Sequence, residues 1–215
     1  MEEKREKIID RKEKELNIKD LNIKENKVNL IVISGPSGVG KTTIIRNILQ
    51  DTELKDKIMF SVSHTTREKR EGEVDGQDYF FVSEEEFKRM IEKDEFIEWA
   101  KVHGHLYGTS YKNIELAQKS GKLLILDIDV QGAEKIREKM RDSAIFIFIK
   151  PPSIEELKRR LASRGDTKDI ELRINNVRKE LEYEAKFDLS IVNENLEETV
   201  AQLKKIIKNL LNESK

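Results

Sequence analysis

One short run restricts this chain more than any other: Gly35-Pro36-Ser37-Gly38-Val39-Gly40-Lys41-Thr42, set directly after the apolar stretch Leu30-Ile31-Val32-Ile33. It fits the spacing G-x-x-x-x-G-K-[ST], and a helical pattern, Thr43-Ile44-Ile45-Arg46-Asn47-Ile48-Leu49, leads away from it. Strand, glycine-rich turn and helix in that order make an anion cradle. The glycines let the backbone curl until successive N–H groups face phosphate oxygens. Lys41 adds a positive charge, and the Thr42 hydroxyl is a ligand for magnesium. A chance glycine-rich turn is the competing reading, and the flanking strand and helix weigh against it. Residues Gly35 through Thr43 are therefore expected to hold a nucleoside triphosphate. What receives the phosphate is a separate question.

Composition narrows the partners. The chain has 215 residues, enough for one compact domain, and its 37% hydrophobic content supports a core while 39% charged residues imply a highly charged exterior. Basic and acidic residues number 41 and 42, for a formal charge of −1, which argues against a bulk nucleic-acid binder. With no cysteine, disulfides and thiolate metal sites are excluded. No apolar stretch approaches membrane-spanning length, and the charged N-terminus lacks a secretory apolar segment. A soluble cytoplasmic protein with no membrane partner is expected, and homo-oligomer formation stays open.

Residues 1–27 read as a separate, charged N-terminal extension: mixed charge dominates, glycine and proline are missing, and apolar residues are too sparse for a core. Beyond it, strand-like and helix-like segments alternate. Strands are expected at Leu30–Ser34, Ile58–Val62, Tyr79–Val82, Leu123–Asp127, Ala144–Ile149 and Leu189–Val192. Helices are expected at Thr42–Leu49, Glu84–Glu92, Asn113–Lys119, Ala133–Met140, Ser153–Ser163, Ile170–Lys186 and Leu196–Leu211. Continuous apolar runs such as Ile145-Phe146-Ile147-Phe148-Ile149 suit strands covered on both faces. The alternation implies an α/β fold with a central parallel sheet flanked by helices. Residues 58–111, richer in short extended pieces, read as a lobe inserted beside that sheet.

The lobe carries the second signal. The run from Ser61-Val62-Ser63-His64-Thr65-Thr66-Arg67 through Arg70-Glu71-Gly72-Glu73 to Asp78-Tyr79-Phe80-Phe81-Val82 resembles the acceptor-binding region of guanylate kinases. So do Glu95-Phe96-Ile97-Glu98-Trp99-Ala100, Tyr107-Gly108-Thr109 and Ile125-Leu126-Asp127-Ile128-Asp129-Val130-Gln131-Gly132. The resemblance runs from about residue 30 to the C-terminus and implies a P-loop kinase with an inserted acceptor-binding lobe and a mobile lid over about 160–173. It implies transfer of the γ-phosphate of MgATP to GMP and dGMP. Guanine presents N–H donors at N1 and N2, and the resemblance assigns Glu98 and Asp129 to that edge and the hydroxyls of Ser63 and Thr109 to the base. Adenine would leave such groups unpaired, at roughly 1–3 kcal/mol per mismatch. Arg67 and Arg70 match the family's phosphate-gripping arginines, assisted by Tyr79 and Tyr107; a planar guanidinium holds two phosphate oxygens at once. Lys69 stands where many relatives have proline.

At the donor end, Lys41 and the loop amides are expected to hold the phosphates, and Asp127, at a strand end, to organise Mg2+ together with Thr42. Arg159-Arg160-Leu161-Ala162-Ser163-Arg164-Gly165-Asp166-Thr167-Lys168-Asp169 resembles the mobile lid over ATP, and Arg160, Arg164 and Arg173 match the family's lid and transfer-site arginines. The spacing from Arg164 to Arg173 is about two residues shorter than the commoner family pattern. None of His64, His103 or His105 reads as a metal ligand or general base, and Trp99 and the Phe80-Phe81 pair read as packing residues. Two rivals stay open: a binding module of the same family without catalysis, and a related kinase for another small phosphorylated acceptor. Retention of Lys41, Thr42, Arg160 and Arg164 counts against the first, and retention of Ser63, Glu98 and Asp129 against the second.

Overall fold

The apolar runs all become strands of one sheet. The computed structural model describes residues 29–102, 104–163 and 170–213; the expected charged extension lies outside the described residues. Strand β1 (Leu30–Ser34) leads through the glycine-rich loop to α1 (Lys41–Leu49), then β2 (Ile58–Phe60). Short strands β3 (His64–Thr65) and β4 (Phe80–Phe81) precede α2 (Glu84–Glu92), β5 (Phe96–Val102) and β6 (His105–Ser110). Then come α3 (Tyr111–Ser120), β7 (Leu123–Asp127), α4 (Val130–Met140) and β8 (Ala144–Lys150). The chain closes with α5 (Ile154–Ser163), α6 (Ile170–Leu181), β9 (Leu189–Val192) and α7 (Leu196–Glu213).

Five strands form a parallel sheet in the order β2-β7-β1-β8-β9. All five residues of β1 are buried because side chains alternate between two covered faces. Ile31 and Ile33 join Ile44, Ile45 and Ile48 of α1, Leu157 and Leu161 of α5, and Leu203 and Ile207 of α7. Leu30 and Val32 join Ile114 and Ala117 of α3 and Ala133 and Ile136 of α4. Each such isoleucine, leucine or valine contributes about 1.5–3 kcal/mol by leaving water, which fixes the central strands firmly. The loop and Asp127 sit at the carboxyl ends of β1 and β7, where ligands of open α/β sheets bind; the register pairs Ile33 with Asp127.

Four strands form the second sheet, in the order β4-β3-β6-β5. Here β5 and β6 run antiparallel and put Glu98 opposite Thr109. The lobe thus differs in detail from its expected outline, since β2, at the start of the 58–111 span, pairs with β7 in the core sheet. The expected strand over Tyr79–Val82 shortens to two residues. Likewise the helix expected over Ile170–Lys186 ends at Leu181, and Glu182–Lys186 tighten into a 3-10 turn. That turn delivers Phe187 to within 5.1 Å of the Phe148 ring. Trp99 and Phe80, expected as packing residues, keep 38% and 37% of their surface exposed. Among the described residues no helix is long and apolar enough to cross a membrane.

Candidate active site

A cleft of about 680 Å³ opens where the two sheets meet. At its core end lies the glycine-rich loop. Gly35, Ser37, Gly38, Gly40, Lys41, Thr42 and Thr43 line it, whereas Pro36 and Val39 are buried behind. Val39 is fully enclosed in the core and anchors the loop from below. Lys41 Nζ donates to the Gly35 carbonyl at 2.7 Å and stands 3.9 Å from Asp127 Oδ1. The Thr42 hydroxyl donates to Asp127 Oδ2 at 3.4 Å. Burial pushes the Asp127 carboxyl above its ordinary pKa, and Lys41 and Thr42 oppose that rise. A hydroxyl and a carboxylate converging beside a phosphate cradle fit a hard, oxygen-seeking divalent ion, of the kind that keeps most of its water and shares phosphate oxygens.

At the lobe end, polar groups are buried in an order. Glu98 is 5% exposed and Thr109 is fully enclosed. Thr109 Oγ1 donates to Glu98 Oε1 at 2.7 Å, and Ser63 Oγ lies 3.3 Å from the Thr109 hydroxyl. Burial raises the Glu98 pKa to about 7, with nearby Asp129 adding to the rise and Thr109 and Lys135 opposing it. Asp129 caps α4, its Oδ1 accepting from the Gly132 N–H at 2.8 Å, and it faces the cleft from the core side.

Between the two ends stand the cations and phenols. Arg67, Arg70, Tyr79 and Tyr107 all line the cleft. The Arg67 guanidinium makes a two-pronged contact with Glu73, at 3.1 and 2.8 Å, and lies over the Tyr79 ring at 5.5 Å. Burial works against the Arg67 charge, but Glu73 and Tyr107 more than offset it and hold its pKa above the usual value. Glu73 also accepts from the Arg70 main-chain N–H at 2.8 Å. Burial pushes the Tyr79 phenol upward, so it is a neutral hydrogen-bond donor at physiological pH.

The family model described as guanylate kinase matches residues 27–210. The chain belongs to the guanylate kinase family. A guanylate kinase of Thermotoga maritima is 46% identical over 185 residues, covering 85% of this chain and 87% of that protein. One from Sulfurimonas denitrificans is 48% identical over 177 residues, covering 81% and 84%. Among solved structures, guanylate kinase from Anaplasma phagocytophilum superposes with a TM-score of 0.69 at 38% identity, covering 86% of this chain and 87% of that one.

The arginines matched to the guanylate kinase lid are distributed unevenly. Arg160, on α5, lines a second cavity of about 340 Å³ that shares Gly38, Gly40 and Thr43 with the cleft and is also lined by Asn193. Arg164 and His103 lie outside the described residues. Arg173 is half-buried on α6 and lines neither cavity. His64 is half-buried between the rings of Phe80 and Phe96, and His105 is exposed.

Four residues at the site carry no role in the sequence reading. Glu73 holds Arg67; an acid among spaced arginines is a signal that could have pointed to it. Glu180 of α6 lines the cleft with its Oε2 buried and unpartnered among the described residues. Burial raises its pKa against the pull of Lys41 and the Ser37 N–H. Gly132 is the point where Glu98 meets α4, since a Cβ there would lie 2.7 Å from Glu98 Oε2. Asn193 supports the loop from behind. For Glu180 and Asn193 no local sequence signal exists, because their partners are remote in the chain, and Gly132, though inside a quoted motif, meets Glu98 only through the fold.

Proposed function

We propose that this protein transfers the γ-phosphate of MgATP to GMP, and to dGMP, giving ADP and the nucleoside diphosphate. One observation supports the reading above all: a single cleft joins a phosphate cradle to a buried carboxylate–hydroxyl set suited to guanine's N–H edge, with arginines between. Guanine N1–H and N2–H donate to Glu98 and Asp129, while Ser63 and Thr109 hold the base and fix the Glu98 carboxylate. Arg67, Arg70, Tyr79 and Tyr107 grip the acceptor phosphate. Glu73 keeps the Arg67 fork aligned until that phosphate arrives.

A GMP phosphate oxygen attacks the γ-phosphorus in line. The new P–O bond forms as the bond to the β–γ bridging oxygen breaks, and ADP carries away that electron pair. No protein nucleophile is needed, because the acceptor is already an anion. This chain contributes alignment and charge: the loop amides and Lys41 hold the donor, Arg70 faces the transferring group from the cleft, and Arg160, Arg164 and Arg173 add their charge on closure of the lid. Thr42 and Asp127 would hold Mg2+, which when bound neutralises phosphate charge. Closure of lobe and lid excludes water, limiting wasteful hydrolysis.

A coupled assay for ADP formation across GMP, dGMP, AMP, IMP and UMP tests this. GMP and dGMP should lead, and Lys41→Ala should cut turnover at least about a hundredfold with GMP binding retained by calorimetry. GMP binding without ADP formation would make the chain a binding module. Equal turnover across the acceptors would remove the guanine assignment.

A further inference from the structure

We propose that Asn193 is a positioning residue of the donor site, locking the Val39–Gly40 peptide so that the Gly40 N–H is presented to donor phosphate. The proposal rests on the reading of the glycine-rich loop as the ATP site. Asn193 directly follows β9, and its main-chain N–H donates to the Lys150 carbonyl at 2.8 Å, so its backbone is fixed to the core sheet. It is 5% exposed. Its side-chain Nδ2 donates to the Val39 carbonyl at 2.7 Å. That carbonyl can only accept, so it dictates which end of the amide faces it. The other end, Oδ1, then meets the Thr199 hydroxyl at 3.0 Å, inside α7. Thr199 is 1% exposed and shares its proton with the Asn195 carbonyl at 2.8 Å.

Peptide geometry gives this bond its consequence. In a trans peptide the C=O and the following N–H point in opposite directions within one plane. Holding the Val39 carbonyl toward Asn193 therefore turns the Gly40 N–H the other way. Gly40 lines both the cleft and the smaller cavity. Its φ of +104° lies in the left-handed region, and a Cβ at this position would come within 2.7 Å of Asn193 Nδ2. Glycine is thus required both for the turn and for the approach of Asn193. The same freedom lets this peptide flip, and a flip would aim a carbonyl oxygen at the phosphates. Asn193 also touches the arginine set, because its own carbonyl accepts from Arg160 Nη1 at 3.1 Å. One buried amide residue thereby ties the loop and Arg160 to the end of β9.

The test uses Asn193→Ala and Asn193→Asp, neither of which can donate to Val39, with Thr199→Val and Thr199→Ser as a second pair. Both Asn193 variants should lose about ten- to a hundredfold in kcat/KM for ATP, mainly through KM. GMP dissociation constants by calorimetry should stay within about twofold, a separation that a general loss of structure would not give. Thr199→Val should lose about three- to fivefold and Thr199→Ser nothing. If the Asn193 variants fail to fold, the Thr199 pair decides. The proposal is overturned if Asn193→Ala keeps kcat/KM for ATP within about threefold, if GMP affinity falls in step, or if Thr199→Val matches the unaltered chain. An unaltered chain that forms no ADP would overturn the functional reading instead.

Discussion

A carboxyl group accepts N–H donors best when ionised, yet the burial of Glu98 favours the neutral acid and raises its pKa to about 7. The folded chain therefore carries a cost in the absence of ligand. Because the folded pKa lies above the ordinary 4.5, the group's contribution to stability is fully present below about 4.5 and is lost as pH rises through about 7. A shift of that size corresponds to about 3 kcal/mol. Glu98→Gln should accordingly raise the ligand-free melting temperature at pH 8 and change it little at pH 5. The same substitution should weaken GMP binding about ten- to a hundredfold at pH 8 and markedly less at pH 6. Calorimetry of both chains across that range isolates the Glu98 contribution from titration of the GMP phosphate, which both share. Identical pH profiles would show that Glu98 does not read the base.

Helix α4 shows how an element can be shaped against its own propensity. Glycine in a helix costs about 1 kcal/mol relative to alanine, yet Gly132 sits in the first turn. An added Cβ would be 2.7 Å from Glu98 Oε2 and 3.2 Å from Asp129 Oδ1. Gly132→Ala should therefore leave the chain folded but displace Glu98, weakening GMP binding at least about tenfold by calorimetry with ATP KM little changed. The elements themselves were legible where the hydrophobic pattern was strong. β1, β7 and β8 are apolar up to their last residue, and α1 shows its buried face as Ile44, Ile45 and Ile48. Strands β3 and β4 span two residues each, too few for any period to emerge. β5 and β6 mix buried polar residues with exposed aromatics, so alternation fails as a guide. The site followed the same division. Residues inside long motifs, such as Ser63 and Arg67, could be singled out as candidates from the sequence, and both line the cleft. Gly132, Glu180 and Asn193 acquire meaning only from partners that folding brings to them.

For the molecule as a whole, the question is how the lobe is joined to the core. Lys139 Nζ of α4 donates to the Ile97 carbonyl of β5 at 2.6 Å, and Lys135 reaches the Trp99 carbonyl and ring. On the opposite side Arg46 of α1 pairs with Asp78, which also accepts from the Val74 N–H at 2.8 Å. The Arg46 side chain is 56% exposed, so solvent screens the pair and its net worth is below about 1 kcal/mol. Arg46→Ala should lower the melting temperature by less than about 3 °C and change the GMP KM by less than about fivefold. A larger drop that vanishes in high salt would make the pair a true latch between lobe and core. The pocket attributed to guanine draws Ser63 and Glu98, with Thr109 buried behind them, from beside or within the small sheet and Asp129 from the end of the parallel one. A purine seated there would act as a rivet through two plates that share no strand. Its departure and the parting of the plates would then be one event, placing a ceiling on turnover that no improvement in phosphate chemistry could lift.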